Sequence, residues 1–272
     1  MNIEDAGGSN PKKLAGAIHD QLRPLGIVKG RVPVEEIATA LDIDEIRLEP
    51  VNRFEGALVT TSERTTGKIL VNSNSRSTRC SFTIAHELGH FLNIWHRPME
   101  GERFVCSKED IGSAYTFATP IMDRHQIQER EANSFAIELL IPEYRLYPFL
   151  DSEPDLAKVL DLASDLKCSL EAAARRFVEK HYLPLGVAFS KDGRLRYGVT
   201  GPDFGRLVLG KGDRIPMLPL PKPKTSLSEL ETCDPTDWMK GNGTDEVFVQ
   251  TLHQKDGFAL TLIVAEIPDE KI

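Results

Sequence analysis

The chain of 272 residues lacks several features that would assign it to a special class of protein. Its longest apolar runs, such as Phe258–Ala265, are far too short to cross a bilayer. Its four cysteines, at positions 80, 106, 168 and 233, form no Cys-x-x-Cys pair, which argues against a disulfide framework and against a cysteine-based zinc site. The acidic start of the chain contains no apolar segment, so we expect no secretory signal and a cytoplasmic protein.

A surplus of basic residues is also missing. The formal net charge is -8 at pH 7, whereas a protein that coats nucleic acid needs a basic surface. Hydrophobic residues make up 40% of the chain and charged residues 27%, which is ordinary for a soluble globular protein. We therefore expect a soluble protein without a membrane partner.

The spacing of apolar residues predicts an α+β fold. Apolar residues recur at helical spacing in 78–95 and 126–140, while β-branched segments at 56–61 and 67–72 predict a hairpin. Residues 97–125 show no clear period, which predicts a loop insertion.

The last third of the chain differs in composition from the rest. Two Lys-Asp-Gly sequences, at 191–193 and 255–257, are each flanked by β-type segments, which is a strong hairpin signal. This region is therefore predicted to be a separate β-rich unit.

The segment His86–His90 reads His-Glu-Leu-Gly-His, an HExxH motif inside a predicted helix. Residues four apart lie on one helix face, so both imidazoles can bind one ion, and Glu87 can approach a water on that ion without being a ligand. Zinc lowers the pKa of such a water, and a carboxylate can then take its proton. A solvated helix face with two surface histidines is the alternative. The apolar flanks argue against it, since a buried HExxH needs polar partners, which zinc supplies.

A catalytic zinc needs a third protein ligand, and the helix predicted at 126–140 offers Glu129 and Glu131. Asn133 follows Glu129 by one helical turn, where it can hydrogen-bond a ligand histidine. The small Ala132 lets two helices approach closely. The residues one turn after Glu131 give no comparable support, so we favour Glu129, with a solvated ion pair as its alternative role.

These residues carry a resemblance to a known family. The run 82–90, followed by 129–136 and then Leu-Leu-Ile-Pro at 139–142, closely resembles the ImmA/IrrE metallopeptidases. The resemblance extends over roughly residues 11–182.

The resemblance implies a zincin-like core in which Zn²⁺ is held by His86, His90 and Glu129, with Glu87 as general base. Members of the family commonly cleave helix-turn-helix (XRE-like) repressors and so derepress phage, mobile-element or stress-response genes. Composition predicts a disordered lead at 1–10 and a β-rich domain at 183–272. The resemblance implies a peptidase domain at 11–145, a helix-turn-helix-like segment at 146–182 and, by analogy, a GAF-like sensory role for the β-rich domain.

The chain departs from the family pattern after the HExxH motif. Many members carry a histidine four residues after the second motif histidine, whereas this chain has Ile94 there and His96 two positions further on. The insertion 97–125 is long and is interpreted either as a lid over the cleft or as a plug that keeps the enzyme latent.

Three residues of that insertion have chemistry that a peptidase could use. Tyr115 and His125 could polarise the scissile carbonyl or stabilise its oxyanion, although a buried tyrosine and a surface histidine are the simpler interpretations. Cys106 could be a fourth zinc ligand in a latent state, but a lone cysteine is more often a packing residue.

The charge of residues 153–182 bears on DNA binding. Five basic and six acidic side chains leave no surplus to neutralise phosphates, so we expect a scaffold or docking role there. A second hypothesis is a non-catalytic regulatory protein that binds a repressor or DNA and holds a structural metal. A third hypothesis, a toxin-like partner in a two-gene unit, is compatible with the peptidase hypothesis.

Overall fold

In the computed structural model of the protein, the residues described below are 1, 10–26, 29–98, 101, 103–111, 123–216, 226–240 and 246–265. The chain divides into two compact units. The first comprises Met1–Pro142 and Asp165–Cys168, and the second comprises Glu143–Ser164 and Ser169–Ile272. Each unit is described by itself.

The first unit combines four helices with a four-stranded mixed sheet, so the predicted α+β class is correct here. Its elements are α1 (Pro11–Leu22), α2 (Val34–Thr39), β1 (Ile43–Glu49), β2 (Gly56–Thr60), β3 (Gly67–Asn72), α3 (Ser77–Leu92), β4 (Arg103–Cys106) and α4 (Arg124–Leu140). Strand order in the sheet is β1-β3-β2-β4, with β1 parallel to β3 and β2 antiparallel to both of its neighbours.

Strand β4 corrects one expectation from the sequence. The described part of the predicted loop insertion contains this strand, which pairs with β2 at the edge of the sheet. Four residues are too few to show a period, and the pairing partner lies about fifty positions earlier in the chain, so the local sequence could not reveal the strand. The hairpin predicted from the β-branched segments is present as β2 and β3.

Helix α3 lies in the centre of the first unit. Every residue from Thr83 to Leu92 is buried, as the apolar flanks predicted. Gly89 allows the close approach of α4, since a Cβ at this position would lie 3.0 Å from Phe135 and 3.3 Å from the Cα of Ala132. At the start of α4, Asp123 and Gln126 form a reciprocal capping box. The capped start and the close packing together set where α4 presents its side chains to α3.

The second unit consists of helices and a larger, antiparallel sheet of order β6-β5-β12-β11-β8, with β9 also paired to β11. Both predicted hairpins are present, and their turn residues Asp192 and Asp256 have positive φ. The fully buried Trp238 and Phe204 belong to its core. Its elements are α5 (Tyr147–Leu150), most of α6 (Leu156–Leu166), α7 (Leu170–Lys180), β5 (Leu185–Lys191), β6 (Arg194–Thr200), β7 (Arg206–Leu207), β8 (Ser226–Leu227), β9 (Glu231–Cys233), β10 (Met239–Lys240), β11 (Val247–His253) and β12 (Phe258–Ala265).

The division of the chain into a lead, a peptidase domain, a helix-turn-helix-like segment and a GAF-like tail stays a prediction. Within the described ranges, no helix is long and apolar enough to cross a membrane.

Candidate metal centre

Helices α3 and α4 bring three metal-binding side chains to one point. The Nε2 atoms of His86 and His90 are 3.1 Å apart. One carboxylate oxygen of Glu129 lies 3.1 Å from His86 Nε2 and the other lies 3.2 Å from His90 Nε2. All three side chains are buried, with Glu129 the most exposed at 5%.

This donor set fits a zinc ion. Zinc bonds to nitrogen and oxygen are about 2.0–2.2 Å long, so ligands of a tetrahedral zinc lie roughly 3.3–3.6 Å apart. The separations in this site are only slightly shorter. A carboxylate buried beside two imidazoles is also a typical ligand set for catalytic zinc.

Asn133 and Asp110 support His86 from behind. Asn133 Oδ1 lies 3.1 Å from His86 Nδ1, and Asn133 Nδ2 donates to the backbone carbonyl of Asp110 at 2.7 Å. The second bond orients the amide, so its oxygen accepts a hydrogen bond from His86 Nδ1–H. With Nδ1 as the donor to Asn133, Nε2 is the nitrogen of His86 that can lose its proton and bind a cation.

A second chain of hydrogen bonds supports His90 and was not found from the sequence. His90 Nδ1 lies 2.9 Å from His96 Nδ1, and His96 Nε2 lies 2.9 Å from Glu131 Oε2. Asn93 donates to the same Glu131 oxygen at 3.1 Å. Because a carboxylate only accepts, His96 donates from Nε2 and accepts at Nδ1. His90 Nδ1 is then the donor, and His90 Nε2 is the nitrogen that can bind a cation.

Glu131 therefore has a role that helical spacing did not reveal. It lies behind the site, bonded to His96, while Glu129 faces the two motif histidines. His96 lies two positions beyond the histidine that many family members carry, and this was the sequence signal of the arrangement. The turn after α3 brings its ring to His90.

Arg64 holds that turn in place. Its guanidinium donates to the carbonyl oxygens of His90 and Asn93 at 2.5 Å, to that of Phe91 at 3.0 Å, and to that of His96. These carbonyls belong to the last turn of α3 and the residues after it, where no intrahelical donor remains. Burial lowers the pKa of Arg64 to about 10, so the side chain remains charged at neutral pH.

Glu87 projects from α3 next to the cluster. The side chain is fully buried, and neither carboxylate oxygen has a hydrogen-bond partner within the described residues. Burial raises the pKa of Glu87 to about 7, although the charge of His86 acts in the opposite direction. Burial would also raise the pKa of Glu129, but its bonds to His86 and His90 outweigh this and hold the pKa well below its ordinary value.

Gly56 on β2 makes room for the Glu87 carboxylate. A Cβ at position 56 would lie 2.4 Å from Glu87 Oε1 and 2.5 Å from Thr83 Cγ2. A buried carboxylate without a partner is costly in a protein interior, and such groups are found mainly where function requires them.

His125 lies at the mouth of the site. Its Nδ1 is 3.6 Å from Glu129 Oε1 and its Nε2 is 3.4 Å from Asp110 Oδ1. It borders a cavity of about 250 Å³ that reaches Glu129; the other lining residues are Arg97, Arg103, Phe104, Val105 and Gln128. Tyr115 lies outside the described residues.

Strand β4 forms a further wall of the site. Its alternation places Phe104 and Cys106 inward and the other two side chains outward. The Phe104 ring stacks on His90 with centroids 4.8 Å apart, and Cys106 Sγ lies 3.7 Å from His90 Nε2. The donor atoms of Cys106, His86, His90 and Glu129 all lie within 4.8 Å of one another.

Comparison with known proteins agrees with this geometry. The sequence model of the IrrE N-terminal-like domain, peptidase family M78, matches residues 41–178. The chain belongs to this family. Membership supports the zincin-like core that contains the cluster, and the resemblance to ImmA/IrrE proteins is confirmed.

A solved structure of a Mycobacterium tuberculosis transcriptional regulator has a similar fold. Its TM-score is 0.53 at 12% identity, and the alignment covers 92% of this chain and 76% of that one. At this level of identity the similarity concerns the fold alone. A comparison with curated proteins finds no significant match.

Proposed function

We propose that this M78 family member is a zinc-dependent endopeptidase that cleaves a helix-turn-helix repressor and so derepresses the genes under its control. One observation carries the proposal. A buried triad of zinc-type ligands lies beside a buried glutamate whose oxygens have no hydrogen-bond partner among the described residues, and a cavity borders Glu129.

His86, His90 and Glu129 would hold the zinc ion. When bound, zinc supplies a Lewis acid that polarises a peptide carbonyl and makes water a stronger nucleophile at neutral pH. Glu87 accepts a proton from the attacking water and passes it to the leaving amine. Burial keeps bulk water away from this carboxylate, and Gly56 leaves it space to reach the reacting atoms.

Several supporting residues make this arrangement rigid. Asn133 and His96 orient the two imidazoles, since each accepts a hydrogen bond from Nδ1 of one proposed ligand histidine. His125, at the cavity, could donate to the carbonyl oxygen of the scissile bond as negative charge develops. Its distance from Glu129 places it next to the cluster.

The choice of a repressor as substrate rests on the family and on the charge of the chain. ImmA/IrrE proteins commonly act on such repressors. The net charge of -8 favours a basic protein partner over DNA, and DNA-binding repressors are basic on one face. In this proposal residues 146–182 form a helix-turn-helix-like docking scaffold, residues 183–272 a GAF-like sensory domain, and the protein acts in the cytoplasm on stress, phage or mobile-element genes.

The test compares Glu87→Gln with the unaltered protein and with Glu49→Gln, an exposed position on β1. Each form is co-expressed with a helix-turn-helix repressor encoded by a neighbouring gene. We expect Glu87→Gln to retain zinc, measured by metal analysis, and to leave the repressor intact, while Glu49→Gln cleaves it normally. Full cleavage by Glu87→Gln would exclude the proposed role of this residue.

A regulatory protein with a structural metal is the second candidate, and Cys106 favours it because a fourth protein donor is typical of structural zinc. That protein would release a repressor stoichiometrically, without new fragments on a gel. The buried, unpartnered Glu87 favours the enzyme, since a structural site has no use for it.

A further inference from the structure

Cys106 is the one member of the four-residue cluster that the proposed peptidase mechanism does not use. Its side chain is 1% exposed, and its sulfur points at the three ligands rather than into the apolar core. The thiol lies against Glu87 and also within contact distance of His90 Nε2, the atom that faces the candidate metal position.

The geometry of the sulfur matches that of a ligand. A zinc–sulfur bond is about 2.3 Å long, and combined with a zinc–nitrogen bond it places the two ligand atoms of a tetrahedral site roughly 3.6 Å apart. Cys106 Sγ lies 3.7 Å from His90 Nε2. A cation at the cluster therefore has sulfur within reach without a rearrangement of the chain.

The backbone holds Cys106 in this position. Cys106 pairs with Gly56 across β2 and β4, and its carbonyl accepts a hydrogen bond from the Glu55 amide at 3.0 Å. Two residues earlier on the same face, Phe104 covers His90. Thus the inward face of β4 closes the site on the side that the two helices leave open.

We propose that Cys106 is a fourth protein ligand that closes the metal site and holds the enzyme in a latent state. Four protein ligands complete a tetrahedral zinc, whereas catalysis needs a position open to water and substrate. On coordination the thiol loses its proton to solvent, since a metal-bound thiol is deprotonated. The latency part of this inference rests on the proposed peptidase function.

Strand β4 is suited to a reversible closure. Among the described residues it lies at the edge of the sheet and pairs with β2 alone, so its displacement leaves the pairing of β1, β2 and β3 unchanged. Removal of Cys106 from the cluster leaves His86, His90 and Glu129 in place, held by the two helices and their supporting residues. The resulting site has the three protein ligands of a catalytic zinc centre.

Ligation is tested with cobalt in the full chain. The zinc is exchanged for Co²⁺, and absorption spectra are recorded for the unaltered protein, Cys106→Ala and Cys80→Ala. Cys80 is also buried in the first unit but lies outside the cluster, so it is the matched control. We expect a near-ultraviolet sulfur-to-cobalt band in the unaltered protein and the control, and its loss in Cys106→Ala, which still shows the visible bands of bound cobalt.

Visible bands without the sulfur band in the unaltered protein would overturn Cys106 ligation and leave the proposed function intact. No cobalt binding at all would overturn both proposals. Zinc X-ray absorption on the unaltered protein gives the same answer without a variant: we expect one sulfur at about 2.3 Å. A shell of nitrogen and oxygen alone would contradict the inference even if Cys106→Ala failed to fold.

Latency has its own readouts. We expect Cys106→Ala to cleave the repressor at least 10-fold faster than the unaltered protein, with Cys80→Ala unchanged. Loss of a residue that only supports a ligand lowers metal affinity by roughly 10- to 100-fold. The zinc affinity of Cys106→Ala, measured by chelator competition, should fall by more than this. A loss of affinity without faster cleavage would show that Cys106 is a ligand of the active form and would reject latency.

Discussion

Replacing Gly56 with alanine is expected to impair catalysis while leaving the metal bound. The added Cβ would lie 2.4 Å from Glu87 Oε1, whereas an ordinary contact begins near 3.4 Å. The carboxylate must therefore move by about 1 Å, because β2 is paired on both sides and cannot easily yield. Glu87 is not one of the proposed ligands, so zinc content should not change.

A displacement of about 1 Å in a catalytic group typically costs about 100-fold in rate, or roughly 2.7 kcal/mol of transition-state stabilisation. We expect the rate constant for repressor cleavage to fall by this factor. It is measured by gel densitometry under single-turnover conditions. Zinc analysis and the cobalt spectrum of the variant show whether the ligand set is intact.

The matched control is Gly16→Ala. Gly16 lies in α1, and a Cβ there comes within 4 Å of no atom in the described part of the chain. This change should leave kcat unaltered and stabilise the helix by up to about 1 kcal/mol. Normal cleavage by Gly56→Ala, with the fold and the zinc retained, would refute the view that Gly56 sets the position of Glu87.

Three further changes test the helix end that Arg64 holds, the contact between α3 and α4, and a buried histidine of the second unit. Arg64→Ala should lower the free energy of unfolding by about 2–4 kcal/mol in urea denaturation, because four backbone carbonyls lose their charged donor, and a normal midpoint would contradict this. Gly89→Ala should weaken zinc binding in chelator competition, since the new methyl pushes α4 and Glu129 away from α3; unchanged affinity would show that the helices can adjust. Burial lowers the pKa of His181 to about 4, and its Nδ1 accepts from the Leu183 amide, so the folded state resists protonation. Stability should therefore fall by up to about 3 kcal/mol as pH drops from about 6.5 to about 4, and His181→Asn should show a smaller fall; equal pH profiles would argue against this role.

The grouping of His86, His90 and Glu129 could be predicted from the sequence because it depends on helical spacing. His86 and His90 are one turn apart, so any helix through this segment places them on one face. The same reasoning selected Glu129 over Glu131 and assigned a small residue, Ala132, to the contact between the two helices. The distances in the cluster agree with that choice, and the family comparison agrees with the resemblance read from the same residues.

The sequence was less informative where a role depends on chain segments that meet only in the folded protein. Arg64 caps α3 from a turn between two strands, and Gly56 borders Glu87 from a strand about thirty positions away. Neither residue type nor spacing marks these positions, because backbone carbonyls and van der Waals contacts leave no pattern in the sequence.

Local periodicity was sufficient for the HExxH helix, the helix that carries Glu129 and the hairpins, since side-chain direction within one element follows from its repeat. Cys106 shows where such reasoning stops. In the sequence it was a lone cysteine in a stretch without a period, and packing was the natural interpretation. The pairing of β4 with β2 turns that cysteine toward His90. Strand pairing joins residues by their position in space, and so the closeness of Cys106 to the other three candidate donors became visible only in the folded chain.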